Sequence, residues 1–482
     1  MKGNICSGLT FEECELTILR MAIDKVQEKI GRRIVSSEDI KKIIKIVEDF
    51  ISVKNLICYG GTAINNILPE DEQFYNKEAE IPDYDFFSCN ALDDAKELAD
   101  IYYKNGFTDV EARAGQHHGT YKVFVNFIPI ADVTMMHKDI FAALKQDSIR
   151  IKGILYASPN FLRMGMYSEL SKPVGDTSRW EKVLKRLILL NKHYKITDID
   201  CDKVQIQREM EEIKDQKKIY ENLKDTLISQ GVVFFGSYAL SLYSNYIPKK
   251  HYNKNKEIPD FDVLSNDPET TCDIVKERLK DIGINNVKFV KRESNGEIIP
   301  DHYEVKIGND SVVFIYKPIG CHSYNTITSK KHKIKVATID TMLSFYLAFL
   351  YANKPYYNQY LDRLLCMSKF LFDIQEKNRL KQSGPLKRFS ITCYGHQSSL
   401  EEMRAEKSKK YKELKDKKNT REYEEWFLKY EPDEKNVKIK NQTSKKKKIN
   451  NNSNKTSKQL KKNHKTNKKN KTNKNTKFLG FL

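Results

Sequence analysis

The segment ICYGGTAINNILP, followed by IPDYDFFS, returns later in the chain as VFFGSYALSLYSNYIP followed by IPDFDVLS. Gly60 maps onto Gly236, an offset of 176, and Pro82 onto Pro259, an offset of 177. The match continues downstream. DDAKELADIYYKNGFTDVEARAG parallels ETTCDIVKERLKDIGINNVKFVKRE, IKGILYASPNFLRMGMY parallels IKVATIDTMLSFYLAFL, and VLKRLILLNKHY parallels YLDRLLCMSKFL. One short match is chance; five in the same order at nearly constant offset are a duplication. Whatever this chain folds into, it must build the same unit twice.

Each unit reads as a small mixed sheet with helices on one side. In the first, apolar residues at 40, 43, 44, 47, 50 and 51 have the spacing of an amphipathic helix, with Ser37 as its N-cap. A short apolar strand at 56–58 runs into Gly60-Gly61, and a short helix follows from about Thr62. An alternating strand at 82–88, a helix at 92–104, strands at 121–127 and 130–135, and a helix at 180–194 complete the unit. The stretch from Ile339 to about Tyr430 is helical and becomes highly charged from Ser398.

Length and charge fit this plan. A chain of 482 residues holds two to four units. Of its formal charge of +19, all but two come from the 17 lysines between 435 and 482, where no acid occurs. That Lys/Asn tail has almost nothing apolar to bury, cannot offset its ordering entropy and is predicted to be disordered. Two uses fit it: an RNA arm working through phosphate contacts and counterion release, with Lys445, Lys446, Lys447 and Lys448 as its densest run, or a solubilising extension. Nine dispersed cysteines without CxxC spacing argue against a disulfide framework or a zinc site and for a reducing compartment. No run approaches the ~20 apolar residues of a membrane span, and the first ten residues lack a signal-peptide core. The sequence therefore reads as soluble and intracellular, with no membrane partner.

Chemistry concentrates in the first unit. A Gly-Gly turn before a helix exposes backbone N–H groups that suit a phosphate, although it is more often only a tight turn. Asp83 and Asp85, at i and i+2 on a strand, point to one face beside apolar neighbours. Like charges so close repel, and a divalent cation is the usual solution. Asp132, a lone carboxylate in the apolar strand FIPIADVTMM, supplies a third ligand. Singly, each acid is as well explained by a turn or strand end; together, in this order, they predict a site for two Mg²⁺ or Mn²⁺ ions. Asp83 and Asp85 are expected to bridge both ions, and Asp132 to touch only the one on the hydroxyl side.

The order Gly-Gly, Pro-Asp-Tyr-Asp, Ala-Asp-Val resembles the polymerase-β-like nucleotidyltransferase superfamily, with a longer insert between glycines and aspartates. YSELSKPVGDTSRWEKVLKRLILL is similar to the poly(A) polymerase catalytic subunit family of poxviruses and giant DNA viruses. The resemblance covers most of residues 40–375. It implies an α+β fold of two tandem nucleotidyltransferase-like units, the second degenerate, with ATP as donor and an mRNA 3′ end as acceptor. The chain then divides into an N-terminal helical region (1–52), a catalytic domain (53–195), the degenerate repeat (196–375), a charged helical extension (376–434) and the tail (435–482). A homodimer or a separate processivity subunit are the partners the resemblance implies. Its setting is viral, in the virus factory of the host cytoplasm and in the virion.

Two departures matter. Superfamily members often carry Ser after the first Gly; here it is Gly61, so the hydroxyl contact to phosphate passes to Thr62. The second unit keeps Gly236-Ser237, Asp260 and Asp262, but DSVVFIYKP sets Phe314, Ile315 and Tyr316 where an Asp132 equivalent belongs. An incomplete triad binds metal poorly, so this unit reads as catalytically dead, a scaffold or RNA surface. Lys152, Lys172, Arg179, Lys182, Lys185 and Arg186 follow the third strand, where a triphosphate or RNA backbone needs cations. Lys152, Arg179 and Lys182 are assigned to the nucleotide along with Gly60, Gly61 and Thr62, and Lys185 and Arg186 to RNA; a solvated basic face is the equal alternative. Tyr167 is a base-stacking candidate or a core residue, and His117-His118 a loop within reach of nucleotide. Other base specificities (uridylyl, CCA or oligoadenylate synthesis) and a non-catalytic RNA scaffold or transcription-complex partner stay open at this stage.

Overall fold

The computed structural model describes residues 6, 8–196, 199–208, 215–246, 260–296, 298–329, 332–378 and 380–433. Pro259, Lys445–Lys448 and the tail to which the RNA-arm and disorder readings apply lie outside the described residues.

Apolar alternation and short turns generate two sheets. The strands are β1 (Ile57–Cys58), β2 (Tyr84–Ser88), β3 (Val110–Ala114), β4 (Thr120–Val125), β5 (Ile128–Met135), β6 (Ile149–Ile151) and β7 (Ile154–Tyr156) in the first unit. The second unit has β8 (Val233–Phe234), β9 (Phe261–Leu264), β10 (Val287–Arg292), β11 (His302–Ile307), β12 (Asp310–Tyr316), β13 (His322–Ser329), β14 (His332–Ala337) and β15 (Cys393–Tyr394). A last short strand, β16 (Lys429–Tyr430), comes from the C-terminal extension. The sheet orders are β16-β3-β4-β5-β2-β1-β7-β6 and β10-β11-β12-β9-β8-β14-β13-β15. Seven strands thus repeat in one permutation, and the duplicated sequence is a duplicated fold. The eighth strand joins opposite edges in the two copies.

In the first sheet Tyr121, Val123, Val133 and Phe86 turn inward to a core under helices Glu38–Lys54 and Ala91–Lys104. Ser37 caps the first of these, accepting from the Ile40 N–H, as the sequence predicts. The opposite face is covered only at one end, where Tyr59 stacks on Phe87 at 3.9 Å and Phe87 meets Phe161 edge-on. The helix after the double glycine starts at Gly60 itself, two residues earlier than expected.

The units meet through equivalent helices. Pro159–Leu170 of the first packs against Ile339–Phe349 of the second, and every residue of the latter is buried. Ser158 shares a 2.5 Å hydrogen bond with the Tyr351 hydroxyl across this seam. Tyr167 is fully buried there, its hydroxyl reaching Gln375, so it is core and not a stacking platform. The extension returns to the first unit: Lys96 pairs with Glu424, the Tyr430 hydroxyl donates to Asp100, and β16 adds to β3.

The cysteines correct an expectation. Cys201 pairs with Cys366, Cys321 with Cys393 and Cys6 with Cys14, leaving only Cys58, Cys89 and Cys272 free. Separations of 165 and 72 residues hide the two larger pairs from any spacing rule. Among the described residues no helix is long and apolar enough to cross a membrane.

Candidate active site

Parallel pairing of β2 with β5 sets Asp85 directly beside Asp132. Cα partners on adjacent strands share a face, and here it is the open one, since their neighbours Tyr84, Phe86, Ala131 and Val133 are buried behind it. Asp83 lies just before β2, two residues from Asp85. The turn after β1 closes over the pair: the Tyr59 N–H donates to the Asp85 carbonyl at 2.9 Å. Gly60 adopts φ +71°, and a Cβ there would lie 2.4 Å from Asp85 Oδ2. Only glycine lets backbone and carboxylate approach so closely.

The three acids feel one another. Burial, then Asp83 and Asp132, push the Asp85 carboxyl up to about 7, against the pull of Lys122 and Arg179. Burial and Asp132 also raise Asp83. This is negative charge held out of water without enough cation to balance it. Lys122, on β4 opposite Asp132, forms an ion pair with it. Among the described residues no group of three or more Asp, Glu, His or Cys side chains is arranged to hold a metal ion. The donor set still suits a hard cation: three neighbouring carboxylates at the two central strands, two of them raised by burial and by one another. Lys122 was missed in the sequence; its place on a strand of unknown register gave no signal.

The phosphate-side candidates separate. Arg186 lies against the double glycine, where a Cβ on Gly61 would meet its guanidinium at 3.0 Å. The insert between glycines and aspartates holds it there. Buried Asn65 accepts from the Phe74 and Tyr75 N–H groups, Tyr75 Oη accepts from Arg186 at 2.7 Å, and the guanidinium lies 4.9 Å from the Phe74 ring. Arg186, expected on RNA, thus sits beside the start of the Gly60–Ile67 helix. An aromatic pair in an unusually long insert was the available clue.

Arg179 stays exposed, pairs with Glu169 at 3.2 Å and still acts on Asp85. Lys182 is exposed. Lys185 turns to solvent and pairs with Glu181 one turn back. Lys152 sits at the β6–β7 turn with φ +48° and lines a 710 Å³ cavity with Thr62, Tyr75 and Asp83. Thr62, expected on phosphate, is buried, and its hydroxyl donates to the Asp83 carbonyl at 2.6 Å, so it positions the entry to β2. His118 stacks on Trp426 of the extension at 4.2 Å, away from the acids.

In the second unit the register sets Phe314 opposite Asp262, the place Asp132 takes opposite Asp85. Its two acids are buried and already neutralised. Arg208 reaches Asp260 at 2.7 Å and Asp262 at 2.5 Å, Arg363 reaches Asp260 at 2.9 Å, and Ser237 donates to Asp260 at 2.6 Å. Against the effect of burial, the two guanidinium groups hold Asp260 well below the usual carboxylate range.

Known proteins share both the motifs and the fold. Residues 45–176, which contain the double glycine and all three acids, match the family model described as poly(A) polymerase catalytic subunit. The resemblance read from the motifs is to that family. A putative poly(A) polymerase catalytic subunit of Acanthamoeba polyphaga mimivirus is 30% identical over 247 residues, 50% of this chain and 40% of the relative. One from African swine fever virus (isolate Tick/Malawi/Lil 20-1/1983) is 32% identical over 180 residues, 36% of this chain and 38% of the relative. The chain thus spans about two fifths of the length of the curated relatives it matches, all of them viral. The crystal structure of the Megavirus polyadenylate synthase has the same fold, with a TM-score of 0.72 at 18% identity, covering 89% of this chain and 88% of that one.

Proposed function

We propose that this chain is a metal-dependent, template-independent polynucleotide adenylyltransferase that transfers AMP from ATP to an RNA 3′ end. The observation that carries the reading is the in-register meeting of Asp85 and Asp132, with Asp83 beside them, under a glycine that admits no side chain.

Asp83 and Asp85 would hold two Mg²⁺ or Mn²⁺ ions, and Asp132 the one on the hydroxyl side. Ions so held supply a lowered pKa for the 3′-hydroxyl and charge neutralisation on the triphosphate. The residues do the rest. The N–H groups at the start of the Gly60–Ile67 helix, with Arg186 fixed beside them and Arg179 at the rim, orient the triphosphate. The 3′-oxygen attacks the α-phosphorus, the bond to pyrophosphate breaks in line, and the hydroxyl proton passes to solvent. Lys122, paired with Asp132 here, would be freed by a cation held at that carboxylate and would stay beside the acceptor strand. The second unit, with Arg208 and Arg363 where cations would sit, is a scaffold. The setting is the virus factory.

The test is incorporation on a labelled RNA primer with each of four nucleoside triphosphates and Mg²⁺ or Mn²⁺. Extension with ATP that is lost in Asp83→Ala/Asp85→Ala supports the reading. A preference for UTP or CTP overturns the adenylate assignment, and activity surviving in the double variant overturns the site.

A further inference from the structure

The pairing registers line up one residue from each of five strands across the first sheet: Asp85, Asp132, Lys122, Arg113 and Lys429. All five lie on the open face. Their flanking residues Tyr121, Val123 and Ala112 are buried on the other side, and the Tyr430 hydroxyl reaches Asp100 on the helix behind. The row begins at the catalytic acids and continues as three cations to the outer edge. Like charges directly opposite one another on neighbouring strands are destabilising, so two successive cation–cation pairs need an anion to balance them. Asp132 balances Lys122 at the inner end, but the two outer cations meet only Glu111, 3.8 Å from Arg113, and Glu431, 3.3 Å from Lys429 in an exposed pair of the kind that contributes little. Arg113 is kept on the face by the Phe124 ring, 4.1 Å below its guanidinium.

We infer that this row is the track for the acceptor RNA. The phosphates just upstream of the 3′ end cross the outer strands over Lys122, Arg113 and Lys429. The inference rests on the nucleotidyltransferase reading of the acids. With strands ~4.8 Å apart, Asp132 to Lys429 spans ~14 Å, room for a few nucleotides. The extension thus adds, through β16, the strand that carries the outermost cation of the track.

Arg113→Glu/Lys429→Glu in the full chain tests this, because both residues are surface-exposed and neither touches the acids. Circular dichroism confirms folding, and fluorescence anisotropy with a 15-nucleotide RNA across a salt series gives affinity and slope. The expected result is RNA binding weakened about tenfold or more at low salt. The slope of log K against log[salt] should fall by about 1.4, two contacts at ~0.7 each on a single strand. In extension assays the KM for a 15-nucleotide primer should rise more than kcat falls, while a three-nucleotide primer is affected less. Unchanged affinity and slope, or an equal effect on both primers, overturns the track. A wild-type chain that extends no primer but loses RNA affinity on these substitutions refutes the enzyme reading and leaves the track standing.

Discussion

Both halves of the molecule set two aspartates two residues apart at the start of the same strand, beneath the same glycine, and use them in opposite ways. In the first unit burial, Asp83 and Asp132 raise Asp85, with only the more distant pull of Lys122 and Arg179 against them. In the second, Asp260 and Asp262 are sealed under Arg208, Arg363 and Ser237, and Arg208 lies flat on Phe314 at 4.2 Å. One exchange, Asp132 for Phe314, separates them. A third carboxylate makes a charge that only mobile cations can meet, whereas a ring leaves two charges that fixed guanidinium groups can meet. Duplication therefore preserved the backbone and converted a ligand site into an internal brace.

The same substitution should have different consequences in each half. Asp85→Ala should lower adenylate incorporation by ~10³-fold or more, since several kcal/mol of charge stabilisation at the reacting phosphate goes with it. Its melting temperature should hold or rise, because a raised carboxyl is relieved. Asp260→Ala should do the reverse. It strands two buried guanidinium groups, a loss of ~3–5 kcal/mol of stability, while kcat of the protein that remains folded changes little. Calorimetry alongside single-turnover incorporation checks both. If Asp260→Ala abolishes chemistry in a fully folded chain, the brace is also a catalytic element and the comparison breaks.

Ligand linkage is the next effect in size. Mg²⁺ or Mn²⁺ at a hundredfold over its Kd should stabilise the wild type by ~2.7 kcal/mol, and Asp83→Ala/Asp85→Ala not at all. The pH dependence carries opposite signs at Asp85 and Asp260. Asp85, at about 7 when folded and 3.8 as its ordinary value, binds a proton more readily folded than unfolded. Its contribution is therefore full below the ordinary value and lost as pH rises through about 7. Asp260, depressed by Arg208 and Arg363, contributes above its ordinary value and loses that contribution as pH falls through its folded one. Thermal melts in EDTA at pH 5 and pH 7.5 should show a gain on acidification that shrinks in Asp85→Asn. A gain of the same size in that variant would place the raised proton elsewhere.

How much of this was legible follows from which facts are local. The acids, the double glycine and Phe314 lie in short motifs, and the repeat supplied its own control, so the fold and the triad could be read from residues. Arg186 was legible as a cation near the site, but its seat beside the double glycine was not, because its neighbours Phe74 and Tyr75 come from an insert more than a hundred residues away. Arg208 lies before the second unit's first strand and reaches Asp262 from 54 residues upstream, a contact no motif encodes. The cation row is a property of register, and β16, two residues long, has no periodicity to detect. Pairwise geometry across distant segments is what composition and spacing cannot supply.

The smallest effect tests the finest difference between the halves. Ser237 stands where the first unit has Gly61, and there Thr62, one residue further on, supplies the hydroxyl: Thr62 donates to the Asp83 backbone carbonyl, whereas Ser237 donates both to the Asp260 carbonyl at 3.2 Å and to its carboxylate at 2.6 Å. The threonine fixes where Asp83 sits and leaves its charge free for a cation; the serine uses the charge up. Thr62→Val keeps the shape, removes one hydrogen bond and should reduce stability by ~1 kcal/mol. Because the strand entry loosens, kcat should fall several-fold with the KM for ATP nearly constant. If the KM for ATP rises instead while kcat holds, Thr62 contacts the nucleotide directly, as the sequence alone suggested, and its bond to Asp83 is exchanged on binding.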